Sequence, residues 1–462
     1  MPPAELPPEP SRRDRRQRRT GGSEQLVCLP LKTITPIFGG AARPRHLDND
    51  DPIRVPGIRG QLRFFWRALY GHNYGRPDEL AAREAALWGA VTAQGPVRSR
   101  VDLSVTVVDR GSHDTTPIRP NSLPGYVLWP AGTGKKTNNK EGEDPAPRRN
   151  PGVRFVLHVR IAAKGSADET EVLVALRAWL LFGGIGSRTR RGCGSLTLDG
   201  EAKRVIEPGI RLPARATREA VEATLGLPCF GKPAPILHEM PSFHGAHLFF
   251  GEGSMFDGED AWHAAIEQLK LFRKDSRPDK RDRRREDVHQ HADRIKPLAS
   301  LGLPIVGLAG DDKARLAWCD KFDSDHDRLA SPLIIKPLPL ASGEFVPVAL
   351  WLHRKDPEGS LFWWKGEQRG DKVADEFPPS SGLLNRFDFR RRKKGNRGAG
   401  GPPPVRNVRD SQTASKTGGS RPSGKPGGSA SFQNKPRFQS QASQDRKHDR
   451  PGSRKKDGRN RK

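Results

Sequence analysis

Along residues 25–200, segments whose apolar residues recur with the period of a strand alternate with segments whose apolar residues recur with the period of a helix. Apolar residues at every second position predict a strand, and apolar residues at i, i+3, i+4 and i+7 predict the buried face of a helix. In chain order the pattern predicts a strand, a helix, two strands, a helix and a strand, in the segments Leu26–Ile34, Arg59–Gly71, Val101–Val108, Val153–Ile161, Asp168–Phe182 and Ser195–Asp199. An additional helix, Pro77–Gly89, follows the first helix, and Asp168 and Glu171 have capping-box spacing. This order is the split βαβ arrangement of a ferredoxin-like domain.

The pattern after residue 205 is less regular. Ala261–Arg273 has helical spacing, and Leu333–Leu340 and Phe345–Leu352 flank the turn residues 341–344 as the two strands of a hairpin would. These elements predict a second ferredoxin-like domain. The charge run Asp279–Arg294 predicts a solvated helix or loop.

The sequence therefore predicts an α+β protein with two tandem ferredoxin-like, or RRM-like, domains. We assign residues 25–205 to the first domain, which carries a glycine-rich loop, and residues 206–380 to the second. Residues 1–24 are rich in Pro and Arg, and residues 381–462 are rich in Arg, Gly and Ser. Both terminal segments contain too few apolar residues to form a core, so we predict that they are disordered.

The formal net charge of +27 is concentrated at one end of the chain. Residues 386–462 contain 23 Lys or Arg and 5 Asp or Glu, a net charge of +18. A basic excess of this size favours a nucleic acid or an anionic membrane surface as partner. No apolar run reaches the roughly 18 residues of a membrane span, no secretory signal is apparent, and the four cysteines lack CxxC spacing. We therefore expect a cytoplasmic protein without disulfides or a zinc site.

The segment Gly183–Gly194 carries the clearest chemical signal. It contains five glycines and three arginines in twelve residues. Glycines allow the backbone to approach a ligand closely, peptide N–H groups can face phosphate oxygens, and arginine adds planar, bidentate donors. A glycine-rich turn with solvated charges is the alternative. We predict RNA contact for the following residues of this loop: Gly183, Gly184, Gly186, Ser187, Arg188, Arg190, Arg191, Gly192 and Gly194.

A second basic feature lies on the first predicted helix. Arg59, Arg63 and Arg67 recur every four residues and therefore lie on one face of the helix. The pattern suits a surface that follows phosphates, so we include these three residues among the predicted RNA-binding residues. A solvated arginine face remains open as the alternative.

Candidates for catalysis, metal binding and nucleotide binding are weaker. Histidines that could act as a general acid or base share no motif with a second catalytic group; they are His46, His72, His244 and His247. The cluster Asp48, Asp50 and Asp51 favours a solvated loop over a metal site. Residues 131–137 imitate a phosphate-binding loop, but Trp129 replaces its first glycine and Lys136 replaces its Ser or Thr. We predict no catalytic residue, no metal and no cofactor.

Five separated blocks of the chain together resemble the RAMP superfamily. In order they are Thr35–Gly40, Ile58–Arg67, Gly183–Gly194, Leu301–Ile305 and Arg328–Leu333. Within the superfamily, the chain resembles the first-named RAMP subunit of the Cmr effector complex in type III-B CRISPR systems. The resemblance extends over roughly residues 25–355. Pro56 and Cys193 depart from the pattern, and the charged segment 275–296 and the C-terminal tail have no counterpart in it.

The resemblance implies a non-catalytic subunit with two ferredoxin-like domains. Such a subunit would hold the 3′ region of the CRISPR RNA and the guide–target RNA duplex in antiviral defence, with other RAMP subunits of the complex as its neighbours. Two alternatives stay open. One is a metal-independent endoribonuclease that processes CRISPR RNA. The other is a general RNA-binding scaffold that acts through its basic tail, where Phe432 and Phe438 among Arg, Gly and Ser suit sequence-independent contacts.

Overall fold

The computed structural model describes fourteen stretches of the chain, which all lie in one compact unit. They are residues 24–41, 43, 45–119, 122–128, 132, 144–162, 164–200, 209–231, 240–275, 296–303, 305–309, 312–326, 328–365 and 368–390. The strands in these stretches are β1 Glu24–Thr33, β2 Ile37–Phe38, β3 Ala90–Thr92, β4 Gly95–Val97, β5 Val101–Asp109, β6 His113–Asp114, β7 Arg148–Arg149, β8 Arg154–Ala162, β9 Leu196–Leu198, β10 Ser242–Phe250, β11 Ile305–Ala309, β12 Asp312–Asp320, β13 Asp325–His326, β14 Leu333–Pro339, β15 Phe345–His353, β16 Gly359–Lys365 and β17 Gln368–Ala374. The α-helices are α1 Val55–Tyr70, α2 Pro77–Trp88, α3 Leu123–Val127, α4 Ala167–Phe182, α5 Arg218–Leu225, α6 Gly258–Asp275 and α7 Ser380–Leu384, and short 3-10 turns occupy Gly71–Asn73, Thr189–Arg191 and Lys296–Leu301.

The first half forms a four-stranded antiparallel sheet in the order β5-β8-β1-β9. Val27, Leu29 and Leu31 lie at every second position of β1 and point into the core, because successive side chains of a strand face opposite sides. Helices α1 and α4 pack against each other and contribute Trp66 and Trp179 to the same core. The six predicted elements of this half are all present.

The sheet β10-β15-β14 lies between two hydrophobic clusters. On β14, Ile334 and Leu338 join the cluster that includes α1 and α4, whereas Leu333 and Ile335 join the cluster that includes α6. Every residue of β14 is buried. Residues from both halves of the sequence therefore build each cluster, and the predicted boundary at residue 205 remains a prediction.

A further sheet, β11-β12-β16-β17 with β13 paired to β12, follows in the C-terminal half. The sequence pattern did not predict it. Two smaller sheets, β2-β7-β6 and β3-β4, border the first half. The described structure is thus a mixed α/β arrangement of several antiparallel sheets.

Two local predictions need correction. The N-cap of α4 is Ser166, whose hydroxyl accepts a hydrogen bond from the Glu169 amide at 3.3 Å, so the predicted capping box at Asp168 is wrong. Asp168 instead accepts hydrogen bonds from Arg83 and Arg100. Packed structure also extends beyond the predicted start of the disordered tail at residue 381, because α7 crosses that position and Phe387 and Phe389 are buried. The tail from residue 391 and the charge run Asp279–Arg294 lie outside the described residues.

Candidate nucleic-acid interface

The loop Gly183–Gly194 connects α4 to β9 and is held against the segment that follows β1. The Ser187 amide donates to the Phe38 carbonyl at 2.7 Å, and the Gly194 amide donates to the Pro36 carbonyl at 2.9 Å. The hydroxyl of Thr35 donates to the Gly192 carbonyl at 2.6 Å. The backbone of the loop is therefore fixed at both of its ends by hydrogen bonds within the protein.

Most glycines of the loop are required by the fold. Gly192 has a φ of 82°, and a Cβ atom there would lie 2.5 Å from Cδ1 of Trp262. Gly194 has a φ of 62°, and its Cβ would lie 2.0 Å from the carbonyl oxygen of Ile185. A side chain at either position would combine left-handed backbone strain with a steric clash. Gly183 and Gly184 are buried as well, so Gly186 and Ser187 are the exposed residues among those of the loop predicted to bind RNA. Gly186 is also required by the fold, since its φ is 80° and a Cβ atom there would lie 2.7 Å from the Phe38 carbonyl oxygen.

The three loop arginines donate hydrogen bonds to backbone carbonyls elsewhere in the protein. Arg188 binds the carbonyl of Val127 at 2.9 Å, Arg190 that of Ser331 at 2.8 Å, and Arg191 that of Leu333 at 2.8 Å. Burial lowers the pKa of all three side chains, and that of Arg191 to about 10. The guanidinium groups thus anchor the loop to its surroundings.

Arg188 itself has a left-handed backbone, with φ 60° and ψ 27°. A non-glycine residue in this region is strained, and such strain concentrates at functional segments. The Arg190 guanidinium also lies 5.1 Å from the ring centre of Phe64 on α1, within cation–π range. The loop is therefore braced against α1 as well as against β14.

The basic stripe on α1 is also engaged inside the protein. Arg63 and Arg67 both bind the carboxylate of Glu84 on α2, with 2.6 Å between Arg63 Nε and Glu84 Oε1. Arg59 donates to the Ser99 hydroxyl at 3.0 Å and to the Val101 carbonyl at 3.1 Å. All three arginines are half-buried. They join α1 to α2 and β5, and their contact with RNA remains a prediction.

Exposed backbone also lies on α1 beside the loop, at two glycines that are not among the predicted RNA-binding residues. Gly57 and Gly60 are exposed on one face of α1, and a Cβ atom at either position would meet no atom within 4 Å. The Gln61 side chain exchanges two hydrogen bonds with the Gly184 backbone, at 2.6 and 3.1 Å, which places this face next to the loop. The available sequence signal was a pair of glycines three residues apart, Gly57 just before the predicted helix Arg59–Gly71 and Gly60 at its second position.

Lys336 is a second residue that sequence reasoning missed. It is 1% exposed, and its amine donates to the carbonyl of Gly183 at the start of the loop. Burial lowers the pKa of Lys336 to about 7. The available signal was a single charged residue within the otherwise apolar strand β14.

The four histidine candidates differ in their surroundings. The rings of His72 and His244 lie 3.5 Å apart, centre to centre, while His46 and His247 are exposed. Partial burial lowers the pKa of His72. The pKa of His247 is lowered by the partial covering of its ring and by the nearby charges of His353 and Arg218, so the neutral imidazole is favoured in both. Burial likewise raises the pKa of the Cys193 thiol to about 12, so this loop cysteine stays protonated.

The aspartate cluster organises its own loop. The carboxylate of Asp48 accepts hydrogen bonds from the Asp50 and Asp51 amides at 3.1 and 2.9 Å. Within the described stretches, no group of three or more His, Cys, Asp or Glu side chains has an arrangement suited to a metal ion. Those same stretches contain no helix with the length and apolarity needed to span a bilayer.

Comparison with known proteins finds a family model that matches part of the first half. The RAMP superfamily model matches residues 30–197. The CRISPR system Cmr subunit Cmr1-1 of Pyrococcus furiosus is 27% identical over 158 residues, which make up 34% of this chain. The chain matches only 43% of the length of that relative.

Solved structures resemble a larger part of the chain at lower identity. The crystal structure of Cmr1 from Pyrococcus furiosus in its apo form has a TM-score of 0.43 and 16% identity, over 78% of this chain and 96% of that one. A chain from the cryo-EM structure of the type III-B Cmr-beta complex bound to cognate target RNA has a TM-score of 0.44 and 10% identity, over 79% of this chain and 99% of that one.

Proposed function

Since residues 30–197 match the RAMP superfamily model, we propose that this chain is a RAMP protein and a non-catalytic, RNA-binding subunit of a type III-B CRISPR ribonucleoprotein. It would act in the cytoplasm beside other RAMP subunits, hold the 3′ region of the CRISPR RNA, and support the guide–target duplex. The name of the curated relative, a Cmr subunit, supports the assignment to this type of complex.

We also propose that the chain contains two ferredoxin-like units. The order β5-β8-β1-β9, with α1 after the first strand and α4 after the third, supports the first unit. The order β10-β15-β14 with α6 after β10 supports a second unit that lacks a fourth paired strand in the described residues.

The exposed glycines beside the loop are the observation that carries the RNA-binding proposal. A glycine inside a helix destabilises it by about 1 kcal/mol relative to alanine. The packing of the protein offers no compensation at Gly57 or Gly60, because a side chain would fit at both positions. A bare backbone at such a place suits the close approach of a phosphodiester strand. Gly186 and Ser187 are exposed on the loop that Gln61 of the same helix contacts at Gly184, and we include them in the proposed surface.

We assign different roles to the two kinds of predicted residue. The glycine surface, defined as Gly57, Gly60, Gly186 and Ser187, faces the RNA backbone. The loop arginines keep the loop in place through their carbonyl contacts, and they add positive charge on the protein side of this surface. Positive charge attracts the phosphates even where no direct hydrogen bond forms.

The substitution Gly60→Leu tests this assignment. Leucine is a better helix former than glycine and meets open space here, so the variant should melt at the same or a higher temperature. Its side chain should nevertheless keep the RNA backbone away, and we expect about ten-fold weaker binding, equivalent to about 1.4 kcal/mol. Fluorescence anisotropy with labelled CRISPR RNA and a thermal melt would measure the two effects.

The matched control is Gly382→Leu, because Gly382 is also exposed on a helix and also meets open space. That variant should bind RNA as the unmodified chain does. Equal affinities of the two leucine variants would refute the glycine surface as the RNA site. The same samples test the nuclease alternative: the RNA should remain intact, and cleavage that disappears in His244→Ala would favour an endoribonuclease.

A further inference from the structure

Lys336 is a charged residue in the middle of a fully buried strand. It lies on β14 between Ile335 and Pro337, and its backbone pairs with Val348 of β15. Alternation along the strand directs its side chain to the same face as Ile334 and Leu338, toward α1 and α4. On that face its amine donates a hydrogen bond to the carbonyl of Gly183.

The surroundings of Lys336 provide no carboxylate partner among the described residues. Burial is the cause of its lowered pKa. The ionisable side chains of neighbouring elements bind other groups: Asp168, Glu171 and Arg177 of α4, Arg59, Arg63 and Arg67 of α1, Arg188, Arg190 and Arg191 of the loop, His244 of β10 and His353 of β15. His247 of β10 is exposed at the surface.

The position of Gly183 explains what the amine contributes. Gly183 is the C-cap of α4, where the last carbonyls of a helix lack partners within the helix and carry its negative dipole end. A cation placed there satisfies a buried acceptor and interacts favourably with the helix end. Gly183 is also the first residue of the glycine-rich loop, so this contact fixes the point where the loop leaves the helix.

We infer that Lys336 is a positioning residue that sets the conformation of the loop Gly183–Gly194 through the Gly183 carbonyl. It holds the entry of the loop, whereas Arg191, bonded to Leu333 of the same strand, holds its exit. Strand β14 therefore holds the loop near both of its ends. The consequence for RNA rests on the proposed function, because a displaced loop would distort the glycine surface at Gly186 and Ser187.

Amide hydrogen exchange of residues 183–194 in the full chain without RNA tests the positioning role directly. Lys336→Met fills the same space without a donor, and Lys336→Gln keeps a neutral donor. Exchange in the loop should become about ten-fold faster in the methionine variant, the effect of losing one hydrogen bond of ordinary strength. The glutamine variant should fall between it and the unmodified chain.

A pH profile separates positioning from mere space filling. After correction for intrinsic exchange, loop protection in the unmodified chain should decrease from pH 6 to pH 9, because the amine loses its charge near pH 7. Protection in both variants should not change with pH. Loop exchange that is the same in Lys336→Met and the unmodified chain at both pH values would overturn the inference.

Anisotropy with the labelled RNA then connects this result to the proposed function. Faster loop exchange together with weaker RNA binding in Lys336→Met supports both proposals. Faster exchange with unchanged binding supports the positioning role and argues against RNA contact at the loop. The two proposals can therefore fail separately.

Discussion

Arg354 and Lys336 are buried cations and Arg191 is a half-buried one, and the hydrogen bonds of all three go to backbone carbonyls. The single side chain of Arg354 donates to two carbonyls, those of Ala330 and Ser300, at 2.6 and 3.1 Å. Carbonyls at the ends of strands and helices need donors when they are buried, and a long cationic side chain can deliver one from another element. The positive charge inside this protein thus serves first to join its segments.

The carboxylate of Glu84 allows a test, at a single residue, of whether buried arginines join segments of the protein. It is buried and neutralises Arg63 and Arg67, whose side chains are 33% and 28% exposed. Glu84→Gln should lower the free energy of unfolding by about 2 kcal/mol, because it leaves two half-buried guanidinium groups without a counter-charge. The same change frees both arginines, so RNA affinity should rise. A denaturant melt would measure the loss of stability, and RNA anisotropy would measure the gain in affinity.

The matched control is Glu79→Gln, which makes the same change in charge at an exposed position of the same helix. It should change stability by less than about 0.5 kcal/mol. If Glu84→Gln proves as stable as this control, the Arg63–Glu84–Arg67 contact does not hold α1 to α2.

Among the elements, β14 has the most consequential position. Its alternate residues belong to the two hydrophobic clusters, and it contacts the loop through Leu333 and Lys336. Because both faces are covered, its sequence lacks polar residues except Lys336. A movement of the loop would therefore be transmitted to the packing of β14 against α4 and α6.

Strict periodicity explains which elements could be predicted from sequence. The helices α1 and α4 and the strand β8 carry long apolar repeats, and each lies within a few residues of its predicted bounds. The sheet β11-β12-β16-β17 was missed because its strands mix charged residues with aromatic ones, as in Asp312–Asp320. The roles of the loop arginines were missed because a carbonyl partner 141 residues away, as for Arg190 and Ser331, leaves no local pattern.

The C-terminal end of the described structure gives a prediction about elements. Phe387 packs against Phe249, Phe272 and Trp351 with ring-centre distances of 4.9, 4.7 and 5.7 Å. A chain that ends at Arg390 keeps this packing, whereas a chain that ends at Asn385 loses it. Removal of one buried phenylalanine side chain costs about 3–5 kcal/mol, so the shorter chain should melt at a clearly lower temperature.

Both truncated chains lack the tail after Arg390, and they differ from each other by only five residues. Loss of the tail therefore cannot account for a difference between their melting temperatures. Thermal melts of both proteins beside the full chain would measure the effect. Equal melting temperatures for the chains ending at 385 and 390 would show that the aromatic contacts of Phe387 contribute nothing to stability.

For the whole molecule, the uneven distribution of charge matters most. Residues 386–462 hold +18 of the net charge of +27, whereas the arginines of the loop and of α1 are largely engaged within the protein. Charges in a polar tail contribute sequence-independent affinity that falls steeply with salt. We therefore expect the tail to increase the strength of RNA binding and the glycine surface to set its location.

Recovery of the tagged chain from its native host tests the function of the whole molecule. The full chain and the chain ending at Arg390 should both recover other RAMP subunits and CRISPR RNA, with contacts to the 3′ region of that RNA after ultraviolet cross-linking. Gly60→Leu should recover the same subunits with fewer cross-links, because it changes an exposed position without disturbing the core. Mass spectrometry and sequencing of the bound RNA would measure both. RNA recovery that disappears with the tail and is unaffected by Gly60→Leu would instead support a scaffold that acts through its basic C-terminus, since electrostatic attraction alone would then explain the binding.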